Sequence, residues 1–138
     1  MAETIVCASG YFDPLHKGHV EYLELAKKLG TKLIVIVNND RQATIKKGKS
    51  YMNEEERMMI VKALRCVDEV FLSIDADKTV CKSLETIKPT IFAKGGDRFA
   101  GEIPESAVCK KLGIKIIDGL GEKVQSSSSI LKSINESK

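Results

Sequence analysis

Two segments of this chain, Thr4 to Ser9 (TIVCAS) and Lys32 to Asn38 (KLIVIVN), are near-continuous apolar runs rich in β-branched residues. A strand with one wet face alternates apolar and polar side chains, so an unbroken run marks a strand covered on both faces. That restricts the fold, because a sheet buried on two sides needs helices above and below it. Three shorter runs resemble the first two: Asp68 to Ser73 (DEVFLS), Pro89 to Lys94 (PTIFAK) and Ile114 to Gly119 (IKIIDG). Between them the spacing turns helical. In HVEYLELAKKLG, Val20, Leu23, Ala26 and Lys27 or Leu29 follow one face and Gly30 supplies a stop. In NEEERMMIVKALRCV, Asn53 reads as an N-cap and Glu54 to Glu56 suit the positive end of the helix dipole, with Met59, Ile60, Ala63 and Leu64 as the apolar stripe. Further helices are expected from Lys78 to Ile87, Pro104 to Leu112 and Ser126 to Ile134. Strands alternating with helices predict an α/β fold, a doubly wound parallel sheet of about five strands in three αβα layers.

The bounds on function come from length and charge. A chain of 138 residues, 43% hydrophobic, suits a single domain spanning 1–138. A net charge of +3 from 22 basic and 19 acidic residues, with the lysines dispersed, gives no reason to expect a nucleic-acid partner. Cys7, Cys66, Cys81 and Cys109 form no CxxC pair and sit mostly in apolar runs, which predicts reduced, buried thiols and no zinc site. No apolar run approaches the roughly 18 residues that span a bilayer, and MAETIVCASG lacks the basic start of a signal peptide, so a soluble, cytoplasmic protein without a membrane partner is expected.

In a Rossmann-like sheet, ligands bind beyond the carboxyl ends of the strands. Four polar or glycine-rich segments fall there: GYFDPLHKGH after the first strand, NNDRQATIKKGKS after the second, KGGDR after the fourth, and QSSSS after the fifth. HKGH holds both histidines, His16 and His19, at the entry to a helix, where free backbone N–H groups favour an anion. Gly18 permits close approach of a phosphate, and imidazoles three residues apart can project from one side. The lysines of IKKGKS read either as a solvated loop or, through Lys46 with Lys47 and Lys49 beside it, as contacts for a polyphosphate. KGGDR is equally a tight turn or a binding loop in which Asp97 accepts from a hydroxyl. The serines are helix caps, a second anion cradle, or both. With no credible nucleophile, this set suits transfer at a phosphate by positioning and charge stabilisation. Neither G-x-x-x-x-G-K-[ST] nor G-x-G-x-x-G after the first strand is present, which disfavours Walker-type NTPases and dinucleotide-dependent dehydrogenases.

GYFDPLHKGH resembles the G-x-F-D-x-x-H-x-G-H pattern of the cytidylyltransferase-like nucleotidylyltransferases. YMNEEERMMIVKALRCVDEVF is similar to their arginine-bearing helix leading into R-x-x-D-E-V, here Arg65, Asp68, Glu69 and Val70, and SSSSI stands in the place of their S-T-T motif. The resemblance runs from Ile5 to Ile134. It implies a reaction in which an acceptor phosphate attacks the α-phosphorus of a nucleoside triphosphate and releases pyrophosphate. It further implies that His16, His19 and Lys46 stabilise charge, with Mg²⁺ accompanying the triphosphate and no metal ligand assigned to the protein. Tyr11, Phe12, Asp13, Gly18, Lys94, Gly95, Asp97, Ser126, Ser127 and Ser128 would meet the nucleotide, and Arg57 would contact the acceptor or a phosphate. AKGGDR and ERMMIVKAL are most similar to the heptose-phosphate adenylyltransferases of lipopolysaccharide core synthesis. The implied acceptor is therefore a phosphorylated sugar or polyol, with ATP preferred slightly to CTP. RCVDEV also suits glycerol-3-phosphate cytidylyltransferase, but that family's R-T-x-G-I-S-T-T is GEKVQSSSS here, without the arginine. FMN adenylyltransferases share the overall plan, and a nucleotide-binding sensor that has lost catalysis is the reading of another class. Membership also implies a homodimer.

Overall fold

The computed structural model describes residues 3–12, 15–48, 52–77, 79–95 and 104–120. Among the described residues ten elements run β1 (Ile5–Gly10), α1 (Lys17–Lys27), β2 (Lys32–Val37), α2 (Asp40–Lys47), α3 (Glu54–Lys62), β3 (Glu69–Leu72), α4 (Cys81–Ile87), β4 (Ile91–Gly95), α5 (Glu105–Leu112) and β5 (Lys115–Leu120). The strands form one sheet in the order β3-β2-β1-β4-β5, each pair parallel. The chain winds outward from β1 to β3, then crosses back to β4 on the other side of β1. The topological switch point therefore lies between β1 and β4, where a ligand crevice opens in such sheets. All five expected strands form, within two residues of their expected ends.

Alternate residues of the central strands face opposite layers. Val6, Ala8, Leu33, Val35 and Val37 pack with Leu23, Ala26 and Val61 on the side covered by α1 and α3. Cys7, Ile36 and Phe92 pack with Leu84 and Cys109 on the side covered by α4 and α5. Val6, Cys7 and Ala8 are all fully buried, as the unbroken apolar run requires.

Three local expectations are corrected. The lysines of IKKGKS do not all stand in a loop after β2: Asp40 to Lys47 are helical, because Asn39 and Gln42 close a reciprocal capping box at one end and Gly48 takes φ 86 at the other. The stripe of α3 is rotated: Met59 is 75% exposed and Ile60 39%, while Val61 and Arg57 are buried. Asn53 does cap this helix, in a box with Glu56. Gly30 is not a left-handed stop, since α1 ends at Lys27 with its C-cap Lys28 in the right-handed region; a Cβ at Gly30 would stand 2.4 Å from the Thr4 carbonyl oxygen. The helix expected from Ser126 to Ile134 lies outside the described residues, as does Lys78; α4 begins at Cys81.

Candidate functional site

The spacing of HKGH has a direct structural cause. His16 is the N-cap of α1, and its Nδ1 accepts the Gly18 backbone N–H at 3.1 Å. His19 stands at the third helical position, and its Nδ1 accepts the His16 backbone N–H at 3.1 Å. This is a capping box built from two imidazoles instead of the usual hydroxyl and carboxylate. The rings stack with centroids 3.9 Å apart and planes 28° apart. An imidazole whose Nδ1 accepts a proton bond carries its own proton on Nε2, so these bonds assign both neutral rings to the Nε2–H tautomer. Each ring keeps one N–H to donate. Burial, and then the neighbouring His16, pushes the His19 pKa down from 6.5 to about 4, so this ring is neutral at pH 7.

Behind His19 lies Phe12, edge-on with ring centroids 5.0 Å apart. Phe12 is buried with φ 53, a left-handed conformation that costs a residue bearing a Cβ and is found where surrounding structure imposes it. Its ring folds back over Gly10, where a Cβ would come within 2.7 Å of Cζ. Gly10 and Phe12 thus specify each other, and together they back the imidazole pair.

Arg57 draws the neighbouring segments together. Its Nε donates to the Met52 carbonyl at 2.9 Å, and Nη1 donates to the carbonyls of Tyr11 at 2.8 Å and Asn38 at 2.6 Å. Nη2 donates to the Asp40 carboxylate at 2.7 Å. One side chain on α3 therefore fixes the backbone after β1 and after β2. Every nitrogen of its guanidinium is engaged by protein, which differs from the acceptor or phosphate contact that the sequence suggests. Asp68, of the R-x-x-D-E-V segment, accepts the Leu33 N–H at 2.8 Å and pairs with Lys27, bracing the start of β2 against the end of α1.

A second polar network lies beyond β2 and β3, and sequence reading missed it. Asn39 Nδ2 donates to the carbonyls of Ser73 and Asp75, and Gln42 Nε2 to those of Asp77 and Thr79. The cap position of α4 is Val80, which has no capping side chain, and the buried Asp75 substitutes for it. Its carboxylate accepts the N–H groups of Lys82 at 2.8 Å and Ser83 at 3.0 Å. Glu105, at the start of α5, accepts the Val80 N–H at 3.0 Å. The polar capping box of α2 and the acidic start of α5 were the available signals.

Among the expected site residues, Tyr11, Phe12, His16, Gly18 and His19 come together between β1 and α1, and Lys94 and Gly95 end β4, next to β1 in the sheet. Lys94 Nζ lies 5.3 Å from the centroid of the Phe92 ring. Lys46 is in the last turn of α2 rather than a loop, with its side chain outside the described ones. Asp13, Asp97, Ser126, Ser127 and Ser128 lie outside the described residues. Burial pushes the Cys7 and Cys109 thiols up, Cys109 to about 11, so neither is a thiolate nucleophile at neutral pH. Among the described residues no group of three or more His, Cys, Asp or Glu is placed to hold a metal ion, and no helix is long and apolar enough to cross a membrane. A pair of fixed imidazole donors at a helix N-terminus, beside the switch point of a parallel sheet, can bind and stabilise phosphate oxygens.

Residues 7–133 match the family described as cytidylyltransferase-like. A FAD synthase of Picrophilus torridus is 35% identical over 135 residues, covering 95% of this chain and 96% of that protein. The bifunctional protein HldE of Streptomyces coelicolor is 36% identical over 114 residues, which are 80% of this chain and 24% of that protein. Among solved structures, the lipopolysaccharide core biosynthesis protein from Thermoplasma volcanium superposes with a TM-score of 0.73 at 30% identity, covering 85% of this chain and 96% of that one.

Proposed function

The chain belongs to the cytidylyltransferase-like family of nucleotidyltransferases, and we propose that it transfers AMP from ATP to the phosphate of FMN. The observation that carries the acceptor is length: the similarity to a FAD synthase extends over 96% of that protein, whereas the similarity to HldE spans 24% of it. This reading moves the acceptor from the sugar phosphate expected from sequence to a flavin phosphate. A phosphate oxygen of FMN forms a bond to the α-phosphorus of ATP, the bond from that phosphorus to the bridging oxygen breaks, and pyrophosphate departs. The product is a dinucleotide joined through two phosphates.

His16 and His19 donate from Nε2 to oxygens on which charge grows. Their rings are held before substrate arrives, so their stabilisation costs little reorganisation. Gly18 and the backbone from Tyr11 to Asp13 face the nucleotide, and Lys46 and Lys94 balance phosphate charge. Gly95 with Asp97, and Ser126, Ser127 and Ser128, complete the nucleotide site. Mg²⁺ would arrive with the triphosphate and offset part of its charge. Arg57 acts at one remove, by fixing the Tyr11 and Asn38 carbonyls. A homodimer in the cytoplasm belongs to the same reading; sedimentation at micromolar concentration checks the assembly.

A sugar 1-phosphate acceptor is the second reading, favoured by the 36% identity to HldE. The test crosses ATP, CTP, GTP and UTP with FMN, heptose 1-phosphate and glycerol 3-phosphate, following pyrophosphate release and product by chromatography. FAD from ATP and FMN is expected. Release with heptose 1-phosphate but not FMN would replace the proposal by the second reading. Stabilisation by ATP without release from any pair would leave a nucleotide-binding protein instead.

A further inference from the structure

Tyr22 follows His19 by three residues on α1, so His16, His19 and Tyr22 form one row along the helix. Its ring is buried in the core beneath α1, and its hydroxyl reaches both strands that flank the switch point. The hydroxyl donates to the Ala93 carbonyl of β4 at 2.6 Å and accepts the Ser9 N–H of β1 at 3.4 Å. At the same level the sheet parts. β1 pairs with β2 along its whole length, from Ile5–Lys32 to Gly10–Val37. Among the described residues it pairs with β4 only at Val6–Ile91 and Cys7–Phe92. On the far side of β4, the register with β5 shifts between Ala93 and Gly95.

Strands that separate in a buried setting leave main-chain donors and acceptors that must find partners. Here one phenolic hydroxyl takes one of each. We infer that Tyr22 is a positioning residue: its hydroxyl holds β1 and β4 apart at the crevice and ties the helix bearing the two histidines to both strand ends. The hydroxyl does not touch the reacting atoms; it sets where His16 and His19 stand relative to whatever lies in the crevice. The kinetic consequence rests on the transfer reading above, whereas the geometric one does not.

The test is Tyr22→Phe, which keeps the ring and deletes the hydroxyl. At a temperature well below the variant's melting point, with the circular dichroism of the wild type, kcat should fall roughly tenfold while KM for ATP changes less than about twofold, because misplacing a stabilising group by a fraction of an ångström acts mainly on the transition state. A role in stability alone would lower the melting point and leave kcat intact. The cross-relaxation between the Phe12 and His19 rings, 5.0 Å apart between centroids, provides a readout independent of turnover and should weaken as α1 shifts against the β1 end. Should the wild type release no pyrophosphate from any pair, the transfer reading falls while the ring contact still decides the role of Tyr22. Native kcat together with an unchanged ring contact overturns the inference. So does a Y22F chain that has lost its native dichroism, provided Tyr22→Met loses it too, since the hydroxyl would then belong to folding itself.

Discussion

Arg57→Met removes the guanidinium and retains an unbranched apolar stem of similar length. The wild-type residue is 1% exposed and its side chain donates to three main-chain carbonyls and one carboxylate. Hydrogen bonds from a charged group contribute about 1.5–3 kcal/mol each, but the desolvation of a buried guanidinium offsets much of their sum. Deleting one partner of a buried pair typically costs about 3–5 kcal/mol. Asp40 keeps 40% of its side-chain surface in water and can rehydrate, which places Arg57→Met at the lower end, near 3 kcal/mol by the same scale. Against a domain stability of about 5–15 kcal/mol that is a large fraction. Urea denaturation measures it. With slopes of about 1–3 kcal/mol/M, the midpoint should drop by roughly 1–3 M at unchanged slope. A loss below about 1 kcal/mol, accompanied by a raised KM for the acceptor alone, would refute the scaffolding role and return Arg57 to the acceptor contact suggested by the sequence.

Three further outcomes follow from the same geometry. His16→Asn retains an N-cap acceptor, so its melting point should stay within a few degrees of wild type, while loss of the Nε2 donor should reduce pyrophosphate release by about 10²-fold or more; undiminished release would dismiss the ring as a charge stabiliser. The folded-state pKa of His19 is depressed to about 4, so the unfolded chain takes up its proton first; the stability contribution of this ring is complete above pH 6.5 and lost as pH falls towards 4. The difference in urea midpoint between wild type and His19→Gln should therefore narrow from pH 7.5 to pH 4, and a constant difference would contradict the burial of the ring. Gly10→Ala sets a Cβ 2.7 Å from Phe12 Cζ, and overpacking of this kind costs about 1–3 kcal/mol; an unchanged denaturation midpoint would show that the ring can move aside.

The parts of this fold written in local sequence were readable from it. TIVCAS and KLIVIVN announce doubly covered strands because burial on both faces removes the polar alternation. HKGH announces a helix entry after the first strand, and α1 does begin there with His16 as its N-cap. What escaped depends on partners far along the chain. Arg57 counts as polar in any periodicity, yet it is buried because Tyr11, Asn38, Asp40 and Met52 supply its acceptors, and α3 is rotated accordingly. DRQATIKK has no apolar stripe and reads as a loop, although Asn39, Gln42 and Gly48 carry the start and stop signals of a helix. Nothing local marks Tyr22, since its partner Ala93 is 71 residues away.

The short ladder between β1 and β4 has a mechanical side. It divides the sheet into β3-β2-β1 and β4-β5, joined by a seam at which only Val6–Ile91 and Cys7–Phe92 face each other as ladder partners. The β2–β3 ladder runs through Ile34, Val35, Ile36 and Val37, and the β4–β5 ladder likewise carries more rungs than the seam. Bending the sheet elsewhere must break more rungs than bending it here. The helices do not divide with the strands: Leu23 and Ala26 of α1 share one core with Ile91 and Ala93 of β4 as well as with β1 and β2, and Leu84 and Cys109 on the other face share theirs with Cys7 and Ile36 as well as Phe92. The seam beside the crevice is therefore held chiefly by side chains packed above and below it, as planks are held by cross-battens rather than by their edges.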